Sequence, residues 1–252
     1  MRVKPFSYLE QKDTGVAPTP PQPAQVNQTG LIGWYDANFP GSSPTTVWEN
    51  LTGNTTFDLT PVNSPSYVST TDAAYYEISA AGNSHFETNW YFSQFPVFSI
   101  QIFTYPTVDV TSSGLARFFG HLNTTSSTVR TFFGMNNGRL DFSIGDFFSP
   151  GYNIDTTNPA YLPTLNTWRE FAVTIDSSGN ITGYTDNTVW DTGTWDQSPG
   201  FPAPNNPWYW GQQFNGNENY SGRFSVILVY DRELTSTELQ NNITAINSRY
   251  NY

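Results

Sequence analysis

From Gly30 to Tyr230 the chain is a succession of short apolar runs separated by turn-forming clusters, and most runs are too short for a packed helix. The runs at 31–36, 75–78, 97–104, 116–120, 130–134, 139–144, 168–175, 181–185, 208–211 and 224–230 predict β-strands. The segments between them hold the residues that tight turns demand. Asn137 and Gly138 predict a two-residue hairpin, and the stretch from Asp176 to Asn180 predicts a longer one. Asp186 and Asn187 predict a further tight turn leading into a strand at 188–191. In the last run Phe224, Val226, Leu228 and Tyr230 alternate with Ser225, Ile227 and Val229, so at least one face is buried. Beyond a turn at Asp231, Arg232 and Glu233 the period becomes helical: Leu239, Ile243, Ile246 and Tyr250 share one face. Thr235 and Glu238 stand at capping-box spacing, so a short amphipathic helix closes the chain. Many short strands and one helix predict an all-β fold, an antiparallel two-sheet sandwich.

Residues 1–28 depart from this pattern. Pro5, Pro18, Pro20, Pro21 and Pro23 sit among Thr, Gln, Ala and Val with no periodic apolar face. Such a segment favours extended or polyproline conformations and makes no core of its own, so an extended N-terminal arm precedes one globular domain at 29–252. Phe6, Tyr8 and Leu9 are the arm's candidate assembly anchors on a neighbouring subunit, which implies an oligomeric or multicopy protein. The 252 residues suffice for one large sandwich, and an aromatic share of 17% supplies a broad interior. With only 12% charged residues, the surface must be built largely from Asn, Ser, Thr and Gln. A net charge of −11 argues against nucleic acid and against anionic membrane surfaces as partners. No apolar run approaches the ~18 residues of a spanning helix. Arg2 and Lys4 are not followed by an apolar stretch, so no secretory signal is expected. With no cysteine there are no disulfides and no thiolate sites.

Five segments, in order, carry a resemblance. Residues 30–37 (GLIGWYDA) look like an opening strand, and 47–54 (VWENLTGN) resemble the loop written W-x-D/N-L-S/T-G-N, with Asn50 at the acid or amide position. Residues 96–103 (PVFSIQIF) match a P-F-S-[IV] strand, and 166–174 (NTWREFAVT) with 179–184 (GNITGY) resemble an N-x-W strand and its hairpin partner. The closing strand, turn and helix at 222–250 are a sixth segment with the same resemblance. Together these are similar to concanavalin A-like lectin/laminin-G jelly rolls, particularly those of tailed-phage virion proteins. The resemblance implies a jelly-roll sandwich and a non-enzymatic virion structural protein, a capsid decoration or accessory protein displaying a lectin-like domain. Its location would be the virion, after assembly in the host cytoplasm, and its partners other virion proteins held through the arm. The alternative it implies is a host-attachment module at a tail or fibre tip that binds cell-surface glycans.

Candidate chemistry is sparse. Related glucanases carry two carboxylates about 5 Å apart on alternate residues of one strand, written E-x-D-x-E, and no such run occurs here. His121 ends an apolar strand and His85 lies in a Gly-Asn-Ser stretch, so both read as structural and no catalytic residue is assigned. Some relatives of this fold bind calcium, but Asp141, Asp146 and Asp155 are dispersed in the sequence and read as solvated surface, so no cofactor or metal is expected. Aromatic rings beside amide side chains suit sugars, whose C–H faces stack on rings while hydroxyls bond amides. On that basis Trp195, Trp208, Asn215, Asn217 and Tyr220 are the candidate glycan-binding residues.

Overall fold

The computed structural model describes residues 26–70, 74–89, 96–109, 114–122, 129–146, 152–196, 207–212 and 218–250. They form two antiparallel sheets packed face to face, with a single α-helix against the outside of one. The first sheet runs β13 (Thr188–Thr194), β12 (Asn180–Thr185), β11 (Arg169–Ile175), β6 (Phe98–Pro106), β15 (Gly222–Tyr230), β4 (Ala74–Ile78) and β3 (Ser66–Ser69). Its eighth strand, β1 (Leu31–Asp36), pairs with the second half of β15, whose first three residues pair with β4. The second sheet runs β10 (Tyr152–Thr156), β9 (Arg139–Asp146), β8 (Val129–Asn136), β7 (Leu115–Leu122), β14 (Trp208–Trp210), β5 (His85–Thr88) and β2 (Thr60–Val62). Four of these strands, β2, β3, β5 and β10, of three to five residues, lie outside the runs that predict strands.

The predicted turns are present with the backbone their residues permit. Asn137 and Gly138 have φ of 49° and 83°, and Asp186 and Asn187 have 48° and 59°, the left-handed pair that closes a two-residue hairpin. Asp176 accepts from the amides of Ser178 and Asn180 at 2.7 and 2.8 Å, which closes the longer hairpin. Asn50 is almost fully buried. Its carboxamide oxygen accepts from the Trp34 amide at 2.9 Å, and its nitrogen donates to the Ile32 carbonyl at 3.0 Å, so the loop after β1 is tied to that strand.

Strand β15 differs from simple alternation. A bulge between Phe224 and Val226 turns Phe224 to the same side as Ile227 and Val229. These three enter the core between the sheets, with Trp48, Tyr76, Phe86, Phe118 and Phe133 among others. Val226, Leu228 and Tyr230 face outward and are buried by the helix α1 (Ser236–Tyr250) through Leu239, Ile243, Ile246 and Tyr250. Both faces of β15 are therefore covered. The capping box forms as the spacing predicts: the Thr235 amide donates to Glu238 at 2.9 Å and the Glu238 amide to the Thr235 hydroxyl at 3.3 Å. Arg232 grips both Glu238 oxygens, at 2.7 and 3.0 Å, and holds that carboxyl down at about 2.

A polar chain runs beneath α1. The Asn27 amide donates to Asn242, Asn242 donates to Gln101 and to Tyr230, and Gln101 donates to Glu170, at 2.8 to 3.0 Å. The Asn187 amide closes the chain on the other Glu170 oxygen at 3.3 Å. Val26 is 2% exposed in the same outer cluster. Val26 and Asn27, which the sequence places in the arm, are thus held against α1. Phe6, Tyr8 and Leu9 lie outside the described residues.

Candidate functional site

Helix α1 covers part of the outer face of the eight-stranded sheet, and the outer face of the seven-stranded sheet presents a row of side chains outward. Strand alternation decides which residues these are. In β14, Trp208 and Trp210 point into the core, so Tyr209 points out. Register then aligns a transverse row of outward positions: Thr60, Glu87, Tyr209, Gly120, Phe132, Ser143 and Asn153, on seven successive strands. Gly120 places a strip without side chain between the Tyr209 and Phe132 rings. A second row, Arg117, Gly134, Asp141 and Asp155, crosses the same face. Gly134 sits opposite a bulge in β7, and a Cβ there would lie 2.3 Å from the Ala116 carbonyl oxygen, so the position admits only glycine.

The electrostatics centre on Arg117, which is 2% exposed. Its Nε donates to Glu218 at 2.6 Å, and its guanidinium lies 3.8 Å from the centroid of the Phe132 ring. Burial pulls the Arg117 pKa down and the Glu218 charge opposes that shift. Glu218 takes a φ of 63°, uncommon for a residue with a side chain, and its carbonyl accepts from the Arg117 amide at 3.1 Å. Asp141 is pushed up by burial, against the opposing bonds from Asn136 at 2.8 Å and Ser143 at 3.1 Å and the nearby Arg117 charge. Asp155 pairs with Arg139 at 3.2 Å. At the other end of the first row, His85 bridges the Asn83 carbonyl at 3.1 Å and Glu87 at 3.3 Å, with its ring 5.6 Å from that of Tyr209. Burial and the Glu87 charge both raise the Tyr209 hydroxyl pKa. Each carboxylate of this face is held by a named partner, an arrangement that fixes acceptors in place.

Three of the expected glycan residues belong to the core. Trp195, Trp208 and Tyr220 are 2%, 1% and 0% exposed. Trp208 lies against Phe119 and stacks on His121, while Tyr220 stacks on Phe224 and its hydroxyl meets that of Thr104 at 2.7 Å. The sheet interior claims their faces, so no sugar can stack there; the outward ring of the same stretch is Tyr209. Asn215 and Asn217 lie outside the described residues, but Glu218 and Asn219, which follow them, are fastened to β7 beside this face. Asp141 is buried and bonded, not solvated as expected, and it is the cross-strand neighbour of Asp155. Asp146 ends β9. Among the described residues no group of three His, Asp or Glu could hold a metal ion. Period-two alternation at 208–210 was the signal that could have found Tyr209. Nothing local marks Arg117 or Gly120.

The model of the family described as the concanavalin A-like lectin/glucanases superfamily matches residues 82–240. The chain belongs to this superfamily. Solved structures agree on the fold. The binding domain of Paraclostridial Mosquitocidal Protein 1 is 17% identical with a TM-score of 0.64, over 87% of this chain and 52% of that one. Domain 4 of an extracellular arabinanase from Geobacillus stearothermophilus, solved with arabinotriose, is 16% identical with a TM-score of 0.61, over 87% of this chain and all of that domain. The binding domain of botulinum neurotoxin DC, solved in complex with SialylT, is 14% identical with a TM-score of 0.67, over 90% of this chain and 53% of that one. This superfamily member therefore spans about half the length of the two toxin binding domains. No curated protein matches it. Among the described residues no helix is long and apolar enough to cross a membrane.

Proposed function

We propose that this chain is a non-catalytic, lectin-like recognition protein of a tailed-phage particle, a capsid decoration or accessory protein attached through its N-terminal arm. The observation that carries the recognition role is the half-buried Tyr209 ring beside the side-chain-free strip at Gly120, with the Glu87 carboxylate next to it on the same row. A pyranose can lay its C–H face on the ring, over the strip, while its hydroxyls donate to Glu87. Stacking on one ring is worth only about 1 kcal/mol, so a single site would be weak and would rely on many copies for avidity. Two of the solved structures of this fold hold a sugar by their printed names, arabinotriose and SialylT, which supports a glycan as the ligand class. The particle assignment is supported by the order of the five sequence segments and by the proline-rich arm.

A glycan array probed with the full chain and with Tyr209→Ala tests recognition. Binding by the wild type that the variant loses, with unchanged circular dichroism, is the expected result. A blank array for both refutes it. Mass spectrometry of purified particles tests the assignment to the virion. Particles that adsorb normally without the chain would favour decoration over host attachment at a tail or fibre tip.

A further inference from the structure

Where β6 ends, Pro106, Val108, Pro159, Leu162 and Leu165 line a groove of about 310 Å³, with Asp109 at its edge. Val108 is 54% and Leu165 46% exposed, and with Val189 they are the exposed large apolar side chains among the described residues. Exposed apolar surface of this kind marks a contact site. The volume lies at the low end of ligand pockets and has room for one or two side chains. The Asn166 amide donates to the Pro106 carbonyl at 2.9 Å, which ties the segment after Leu165 to the end of β6.

The chain carries a segment of matching chemistry. Phe6, Tyr8 and Leu9 are apolar, and Arg2 and Lys4 precede them. Residues 1–25 hold three basic side chains (Arg2, Lys4, Lys12) and two acidic ones (Glu10, Asp13) in a chain of net charge −11, so a cationic arm meets an acidic body. Val26 is buried against α1 and Asn27 is bonded to Asn242 and Glu238, so the arm is clamped at that point. Immediately before it come Pro18, Pro20, Pro21 and Pro23.

We propose that the groove at Val108 and Leu165 receives the anchor segment, residues 6–9, of a second copy of this chain, with Arg2 and Lys4 turned toward Asp109. This rests on the assembly role of the arm and names its partner as another copy of the same protein. Sedimentation of the full chain over a concentration series tests it. Self-association should weaken at least tenfold in Leu165→Asp and Val108→Asp, which alter exposed side chains, and equally in a Phe6→Ala/Leu9→Ala double variant. Mixing a groove variant with the anchor variant should restore a pair, since one intact arm then meets one intact groove. A wild type that stays monomeric, association indifferent to both sets of changes, or a mixture that fails to pair would each overturn the proposal. Normal self-association with no incorporation into particles would instead count against the virion reading and leave this one standing.

Discussion

Glu170 lies fully buried beneath α1, where burial pushes its carboxyl from 4.5 up to about 8 against the bonds from Gln101 and the Asn187 amide. The neutral isostere Glu170→Gln is the perturbation that isolates this group. Below pH 4.5 the folded and unfolded chains both hold the proton, and the contribution to stability is fully present. Between pH 4.5 and about 8 the unfolded chain releases the proton while the folded chain keeps it, so stability falls as pH rises, and above about 8 the loss is complete. The window corresponds to a loss on the order of 5 kcal/mol. Asp141, also raised by burial, adds a slope of the same sign, and Glu238, held near 2, titrates below the window. Subtracting the variant from the wild type removes both. Both Glu170 oxygens accept hydrogen bonds, and the glutamine amide can accept only one, so the variant carries a pH-independent cost of about 1–3 kcal/mol. Urea melts at constant ionic strength, from about pH 4.5 to about pH 9, measure the difference. The wild type should lose several kcal/mol more than Glu170→Gln across that range. Parallel stability profiles would show that Glu170 does not titrate there and would refute the reasoning.

Other outcomes follow from the same contacts. Ile243→Ala should cost about 2–4 kcal/mol in denaturant melts, because it opens a cavity between α1 and the sheet, and Thr235→Ala only about 1 kcal/mol for the lost cap. Deleting residues 1–25 should leave the melting temperature nearly unchanged, whereas deleting 1–28 should lower it, because Val26 and Asn27 hold α1. Arg117→Ala strands Glu218 beside a buried face and should cost roughly 3–5 kcal/mol, read from the shift in urea midpoint.

The local pattern already contained much of the fold. Asn-Gly and Asp-Asn turns close hairpins because few other residues tolerate two successive positive φ angles, and Thr235 with Glu238 begins a helix wherever the chain places them. The expectation of an arm rests on the sequence by itself, since proline without periodicity cannot build a core. Only the tertiary structure decided which face each ring serves. One bulged residue after Phe224 exchanges inside for outside, and Trp208, Trp195 and Tyr220 satisfied the local rule for a sugar platform while the facing sheet buried them. The register of seven strands, none adjacent in sequence to all the others, brought Tyr209, Gly120 and Glu87 into one row and set Arg117 against Glu218, about a hundred residues away. Side-chain direction alternates with every residue, but which direction faces the core is set by pairing between distant strands.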